Sequence, residues 1–569
     1  MSQSSQPRRR QTQPLDRVSL IVMALLALII AGMLLVGAQA LPRVRTFSWQ
    51  DQQVSAEDIA FLLTFTQPMT PESVENNLQI EPELAGKFSW AGRKMAYTLE
   101  AAAPYGERFK ISLPTAESLT GQPGFEAFES EFQTRDRVFA YIGVEGEEQG
   151  RLVLFNLTQK EKTLLTAEGQ AVLDFQPYPE RDRILFSAVA VDDSDTGVAS
   201  AQLYNVSTGL GAPPDSPRWQ FWQKPEVPKA GQIQLVLDNR DYQNLKFDLA
   251  PNGSTIVVQR VNNENPSDFG PWVIEAEEAP RKLNTEPGGD FKIAPDSLSL
   301  LLQQGKGTAV IDLENNPADA ESSGQEDELL DFLPEYGLTL DLASDGSRAA
   351  LVNFNQDDPE KRFTQSLFLV SNTGEETSLL QTNGSILSAQ FNENNEILYC
   401  LVNELLQVES VDEENESAPD TEQDGERGDV ADNETESGSD EATTSEDPRL
   451  DEELLLAEEA LSLSEDVFSF IPQLIAVNVK TGRVQKLLEM PPQPEINMSL
   501  SPDGLAVLFD EVLVSDGQSE SKPSDFAGPT HRLWLLPVFS TLEERVSGEP
   551  IPLPPTELDI AGRQPVWLP

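Results

Sequence analysis

A seven-residue turn recurs along the chain and sets its architecture. It reads Phe247-Asp248-Leu249-Ala250-Pro251-Asn252-Gly253, then Leu340-Asp341-Leu342-Ala343-Ser344-Asp345-Gly346, then Met498-Ser499-Leu500-Ser501-Pro502-Asp503-Gly504. Weaker copies run from Leu173 to Pro177, from Phe291 to Asp296 and from Ala389 to Asn395. Each joins two apolar strands, and the Asn-Gly or Asp-Gly pair supplies the positive φ that a tight hairpin needs. Downstream, a third strand enters a polar turn at Leu203 to Gly209, Leu367 to Gly374 and Leu474 to Gly482. A fourth ends in paired leucines, at Leu164-Leu165, Leu379-Leu380 and Leu487-Leu488. Four strands in about 45 residues mark the blade of a β-propeller.

The two ends of the array complement each other. The first unit opens at Val138-Phe139-Ala140-Tyr141-Ile142 without a preceding turn, so it lacks an innermost strand. The stretch Gln564-Pro565-Val566-Trp567-Leu568-Pro569 reads as an innermost strand with nothing after it. Joining them completes one blade, removes two open sheet edges and predicts seven blades. Over most of residues 136–569 the units resemble the propeller repeats of TolB and its WD40-like relatives, most clearly at Ser501 to Gly504. That resemblance implies a protein-interaction platform, although some propellers are hydrolases or lyases.

Residues 43–135 show strand periodicity of a different kind. Ile59, Phe61, Leu63 and Phe65 alternate, as do Met95, Tyr97 and Leu99, then Phe109, Ile111 and Leu113. Pro68, Pro82, Gly92 and Pro104 separate the runs. Short alternating strands over about a hundred residues describe a β-sandwich. Phe65-Thr66-Gln67-Pro68-Met69, Ser73-Val74, Ile80-Glu81-Pro82, Gly86-Lys87-Phe88-Ser89-Trp90, Tyr105-Gly106 and Phe132-Gln133-Thr134 resemble the bacterial Ig-like domain of S-layer and other surface proteins. Such a domain implies a spacer or adhesion unit and no chemistry.

Ahead of both lies an uncharged run from Val18 to Val36, preceded by Arg8, Arg9, Arg10 and Arg17. As a helix it matches the roughly 30 Å hydrocarbon core of a bilayer. The basic residues 1–17 would stay in the cytoplasm, with residues 18–40 as a signal anchor in the plasma (inner) membrane and the rest periplasmic or extracytoplasmic. The rival reading is a cleaved signal peptide ending at Ala38-Gln39-Ala40, but the run exceeds the usual signal core of about 7–15 residues. Both readings export the folded part.

The charge balance excludes one class of partner. Lys and Arg total 40 against 95 Asp and Glu, a formal net charge of −55, which repels nucleic acid. One cysteine, Cys400, and one histidine, His531, permit neither an intrachain disulfide nor a Cys/His zinc site. Cys400 lies in an apolar strand and reads as a small hydrophobe. His531 follows Gly528, Pro529 and Thr530 and reads as a solvated loop residue.

The longest insertion, residues 409–466, carries 24 acids and two arginines. That composition predicts disorder, with a short amphipathic helix carrying Leu450, Leu454, Ala457 and Leu461 near its end. Asp420, Glu422, Asp424 and Gly425 imitate the start of an EF-hand loop, but Ala431 stands where the bidentate glutamate belongs. Only weak, nonspecific divalent-cation binding is left. Shorter insertions at Val191 to Ser200, Asn262 to Gly270, Asn355 to Thr364 and Val514 to Pro529 fall at the same connection of other units. All should decorate one face of the disc. Trp219, Phe221 and Trp222 form an aromatic cluster, a candidate partner anchor if exposed and a packing element otherwise.

No Gly-x-Ser-x-Gly elbow, phosphate loop, dinucleotide fingerprint or His-Glu-x-x-His occurs, and no cofactor is expected. The expectation is therefore an all-β, noncatalytic, membrane-anchored binding or scaffold protein of the bacterial envelope. It would hold a protein or envelope component through the propeller face. The alternative is an extracytoplasmic glycan hydrolase using paired carboxylates in the propeller's centre.

Overall fold

A computed structural model describes residues 14–37, 41–121, 124–191, 200–211, 227–276, 278–314, 329–359, 361, 364–408, 467–513 and 530–569. The first element is helix α1 (Pro14–Gly37). Its described side chains are exposed, Val18 at 60% and Leu28 at 74% among them. Among the described residues, whose side chains cover only part of the run from Val18 to Val36, no helix is long and apolar enough to cross a membrane.

Alternation of apolar and polar residues then builds a two-sheet sandwich. Its strands are β1 (Val44–Phe47), β2 (Gln53–Val54), β3 (Ala60–Phe65), β4 (Gln79–Glu81), β5 (Gly86–Ala91), β6 (Lys94–Leu99), β7 (Arg108–Leu113) and β8 (Phe128–Thr134). They are ordered β1-β3-β6-β5 and β2-β8-β7-β4. Phe61, Leu63, Phe65, Met95, Phe109 and Ile111 close the core between the sheets. Two details differ from the periodicity. A short helix, α2 (Pro71–Glu75), interrupts the strands, and Ile59 lies before β3 with 53% of its surface exposed.

The remaining strands form successive antiparallel sheets. Strands β9 (Val138–Gly143), β10 (Leu152–Asn156) and β11 (Glu161–Leu164) come first. Four-stranded sheets follow in sequence order. They are β12 (Gln170–Pro177), β13 (Arg183–Ala190), β14 (Gln202–Ser207) and β15 (Ile233–Leu237), then β16 (Tyr242–Leu249), β17 (Thr255–Asn262), β18 (Phe269–Glu275) and β19 (Arg281–Lys282). Next come β20 (Phe291–Ile293), β21 (Ser299–Gln304), β22 (Gly307–Asp312) and β23 (Leu329–Leu333), then β24 (Leu338–Leu342), β25 (Arg348–Asn353), β26 (Gln365–Ser371) and β27 (Glu376–Thr382). Strands β28 (Ser385–Phe391), β29 (Ile397–Val408), β30 (Val467–Asn478) and β31 (Val484–Glu489) make the last complete sheet of this series. The chain ends in β32 (Met498–Leu500), β33 (Ala506–Leu513), β34 (Thr530–Pro537), helix α3 (Leu542–Ser547) and β35 (Thr556–Trp567).

Strand β35 belongs to two sheets. Its first half pairs with β34, Thr556 opposite Leu535, and its second half pairs with β9, Trp567 opposite Phe139. The expected closing of the first unit by the last strand is thus present. Apolar residues fill the space between successive sheets all round this array. Phe186 and Val172 share a cluster with Ala140, Phe247 with Leu203, Leu300 with Val257, and Leu351 with Tyr336. Leu398 shares one with Leu369, Phe509 with Tyr399, and Leu508 with Phe139. This is a β-propeller.

The strand order fixes which connections share a face. In an antiparallel sheet, turns between strands one and two and between three and four emerge at one end, and the connection between two and three emerges at the other. The sandwich meets the first end. Tyr105 N donates to Asp503 Oδ2 at 2.9 Å in the β32–β33 turn, and Gly106 abuts Thr158 in the β10–β11 turn. The strand ends that carry the insertions between β13 and β14, β25 and β26, β29 and β30, and β33 and β34 lie at the opposite end. Residues 409–466 leave from a long two-stranded arm, β29 and β30, paired as far as Val408 opposite Val467.

Candidate functional site

Polar side chains on the first strands of successive sheets join those strands into a ring. Gln564 Nε2 on β35 donates to Asp174 Oδ1 on β12. Gln176 Nε2 on β12 donates to Asp248 Oδ1 on β16 at 3.0 Å, and Leu249 N returns a bond to Gln176 Oε1 at 2.9 Å. Asp248 Oδ2 accepts from Ile293 N on β20 at 2.7 Å. Lys292 Nζ on β20 donates to Asp341 Oδ1 on β24 at 3.0 Å, and Asp341 Oδ2 accepts from Phe391 N on β28 at 2.8 Å. Gln390 Oε1 on β28 accepts from Leu500 N on β32 at 2.7 Å, and Ser499 Oγ on β32 accepts from Trp567 N on β35 at 3.1 Å. The ring returns to its start.

The carboxylates of Asp248 and Asp341 are committed to neighbouring strands, which assigns them to architecture. Asp248 and Asp341 have both oxygens engaged. So has Asp510, fully buried and bonded to Asn497 N, Asn497 Nδ2 and Gln564 N at 2.6, 3.0 and 2.7 Å. Burial pushes the carboxyls of Asp174, Asp248 and Asp510 above the usual range, and their hydrogen bonds oppose that.

A second concentration of charge lies where the sandwich meets the propeller. A cavity of about 640 Å³ opens there, between Glu57, Ile59 and Leu99 of the sandwich and Phe391, Glu393, Asp503, Phe539 and Arg545 of the propeller. Backbone turns place its polar groups. Asp503 occupies the β32–β33 turn, where its oxygens also accept from Ser501 Oγ at 2.6 Å and Leu505 N at 3.2 Å. Glu393 stands in the β28–β29 turn. Arg545 is carried by α3, fixed by a capping box between Thr541 and Glu544 and by Gly548 at φ 67°.

Glu393 is accessible to solvent, yet the walls of the concavity surround it. The loss of bulk water around its carboxyl pushes the pKa up to about 7, Arg545 opposes the shift, and Asp503 and Glu57 add to it. Burial lowers the pKa of Arg545 in turn, with Asp503 and Glu393 counteracting. Neither Glu57 nor Glu393 makes a side-chain hydrogen bond or ion pair within hydrogen-bonding distance among the described residues.

On the opposite face, a hollow of about 370 Å³ lies beside the β25–β26 loop, lined by Glu335, Asn353 and Asn355. Lys306 and Asp357 pair across it at 2.7 Å.

The residues singled out by sequence fare differently. Cys400 is buried in β29, where burial raises the thiol pKa, in keeping with a packing role. His531 is not in a loop. It sits in β34 opposite Val512, because the β33–β34 ladder continues to Leu513 and Thr530. Trp219, Phe221, Trp222, the EF-hand-like acids and the amphipathic stretch from Leu450 lie outside the described residues. Among the described residues, no group of three or more His, Cys, Asp or Glu side chains could hold a metal ion. Sequence reasoning missed the junction cavity, since its groups come from six distant segments; the only local signal was the Asp-Gly turn at Asp503.

No family model matches the chain, and no curated protein matches it. Among solved structures the neighbours are TolB-like and other propeller proteins. TolB from Acinetobacter baumannii is 9% identical, with a TM-score of 0.32 over 57% of this chain and 76% of that one. Oligogalacturonate lyase from Vibrio parahaemolyticus is 10% identical, with a TM-score of 0.38 over 66% and 88%. Hydrazine synthase from Kuenenia stuttgartiensis is 12% identical, with a TM-score of 0.30 over 59% and 72%. No activity carries over from any of them.

Proposed function

We propose that this is a noncatalytic binding or scaffold protein of the bacterial envelope. It is tethered by α1 with its N-terminus in the cytoplasm and its Ig-like sandwich and seven-bladed propeller outside. One observation supports the binding role: the sandwich meets one end of the propeller, and the strand ends that carry the insertions lie at the other. A platform held by one face and open at the other can grip a protein or envelope component. The ring of inter-strand hydrogen bonds supports seven blades and keeps the disc rigid. The exposed apolar side chains of α1 support the tether. With a net charge of −55, the open face suits a basic or cation-bridged partner whose capture weakens with salt.

The hydrolase reading has less support, because the carboxylates of Asp248, Asp341 and Asp510 are already committed to neighbouring strands. The test is affinity capture from solubilised native membranes. Replacing 192–199, 356–363 and 514–529 by short Gly/Ser linkers should abolish capture and leave the melting temperature nearly unchanged. Capture that survives those changes, but is lost on removing residues 44–134, would assign binding to the sandwich instead.

A further inference from the structure

The junction cavity brings together charges that do not cancel. Of its five carboxylates, Glu100 pairs with Lys87 and Asp341 with Lys292, which leaves Glu57 from the sandwich, Glu393 from the β28–β29 turn and Asp503 from the β32–β33 turn against a single guanidinium, Arg545. Asp503 is satisfied by three hydrogen bonds, from Tyr105 N, Ser501 Oγ and Leu505 N. Glu57 and Glu393 are accessible and have no hydrogen-bonded or ion-paired partner among the described residues. Apolar wall is supplied by Ile59, Leu99, Phe391 and Phe539.

We propose that this cavity binds an alkylammonium group carried on a short apolar chain, with the ammonium between Glu57 and Glu393 and the methylenes against Phe391 and Phe539. An ammonium is a compact cation with three donors, which suits two unpartnered carboxylates, and an aliphatic stem covers apolar wall without competing for them. Three carboxylates against one guanidinium disfavour an anion. A divalent metal is disfavoured as well, because among the described residues no three carboxylates stand together closely enough to hold one. At about 640 Å³ the space falls within the range of small-molecule sites.

Since one carboxylate belongs to the sandwich and the other to the propeller, the occupant bridges the two modules. Binding also draws a proton off Glu393. The charged groups facing that carboxyl are Arg545 from α3, Asp503 from the β32–β33 turn and Glu57 from the sandwich. An added cation favours its ionised form, so affinity rises with pH through neutrality. The site lies at the opposite end of the disc from the loops and stands independently of their role.

Titration calorimetry on the detergent-solubilised full chain tests the site with two probes, n-pentylammonium and a doubly blocked Ala-Lys-Ala peptide. At least one should bind saturably, about tenfold more weakly to Glu393→Gln and to Glu57→Gln, the loss expected for one charge-assisted contact. Affinity should be higher at about pH 8 than at about pH 6, where Glu393 must lose its proton to pair. Pentanol and the norleucine peptide should not bind. Binding of the peptide alone identifies a lysine presented by a protein, and equal binding of both identifies a free amine. Glu57 is exposed, so Glu57→Gln keeps the fold and guards against a trivial loss through unfolding. Failure of both probes to bind, or affinities unchanged in both variants, overturns the proposal.

Discussion

Trp567 lies directly opposite Phe139 in the ladder between β35 and β9, and their rings meet edge to face with centroids 5.5 Å apart. Arg137 adds a guanidinium over the indole at 5.8 Å. This contact seals the sheet that joins the last strand to the first of the propeller. Trp567→Ala should cost about 3–5 kcal/mol, as for other large buried aromatics. Chemical denaturation followed by far-ultraviolet dichroism measures it. A cost below about 1 kcal/mol would mean that β35 does not close the ring.

The bond from Tyr105 N to Asp503 Oδ2 makes a different prediction, since it crosses between modules. Asp503→Ala leaves the Tyr105 amide and the turn donors without an acceptor, at about 1–3 kcal/mol. The loss should loosen docking before it melts either core. Limited trypsin digestion should then cut faster at Arg135 and Arg137, between β8 and β9. Equal cleavage rates in variant and parent would show that this bond does not hold the modules together.

Much of the fold was legible because hairpin turns and strand alternation are local. The Asp-Gly and Asn-Gly turns mark the first hairpins of three sheets, and the alternation of Phe61, Leu63 and Phe65 marks the sandwich core. Polar residues on the same strands were harder. Asp248 and Asp341 sit within the recurring turns, yet their bonds reach the next sheet, some 45 to 50 residues on. His531 was misplaced because Gly528-Pro529-Thr530 carries a loop signature, whereas the partner strand β33 extends the ladder through it. The junction cavity was illegible, since Glu393, Asp503 and Arg545 come from three distant propeller segments and Glu57 joins them only through docking of the sandwich.

The arm formed by β29 and β30 allows its insertion to be removed. Val408 and Val467 are ladder partners, so a linker of about four residues can span them. Replacing residues 409–466 removes 24 acids and should change stability by less than about 1 kcal/mol, since closure entropy varies slowly with loop length. Differential scanning calorimetry checks this. A fall in melting temperature of more than about 5 °C would show that the acidic segment contributes to the folded core.

The last prediction concerns pH and turns on Glu393. Its pKa in the docked protein, about 7, lies above the ordinary glutamate value of 4.5. Below about pH 4.5 the carboxyl is protonated whether the modules are docked or apart, and its raised pKa has no effect on docking. Between about 4.5 and 7 the undocked protein ionises first, so the docked state holds the extra proton and loses stability as pH rises. Above about 7 both states are ionised and the full penalty persists. Because Glu393 is open to the cavity's water, screening reduces the size of this effect but not its sign. Glu393→Gln removes the titrating group and leaves the carboxylates with raised pKa inside the propeller, including Asp174, Asp248 and Asp510, in place. The variant should therefore match the parent at about pH 4.5 and exceed it in melting temperature at about pH 7.5, without added amine. A parent that gains stability relative to the variant as pH rises would show that Arg545 governs Glu393, and that the junction favours its charged form.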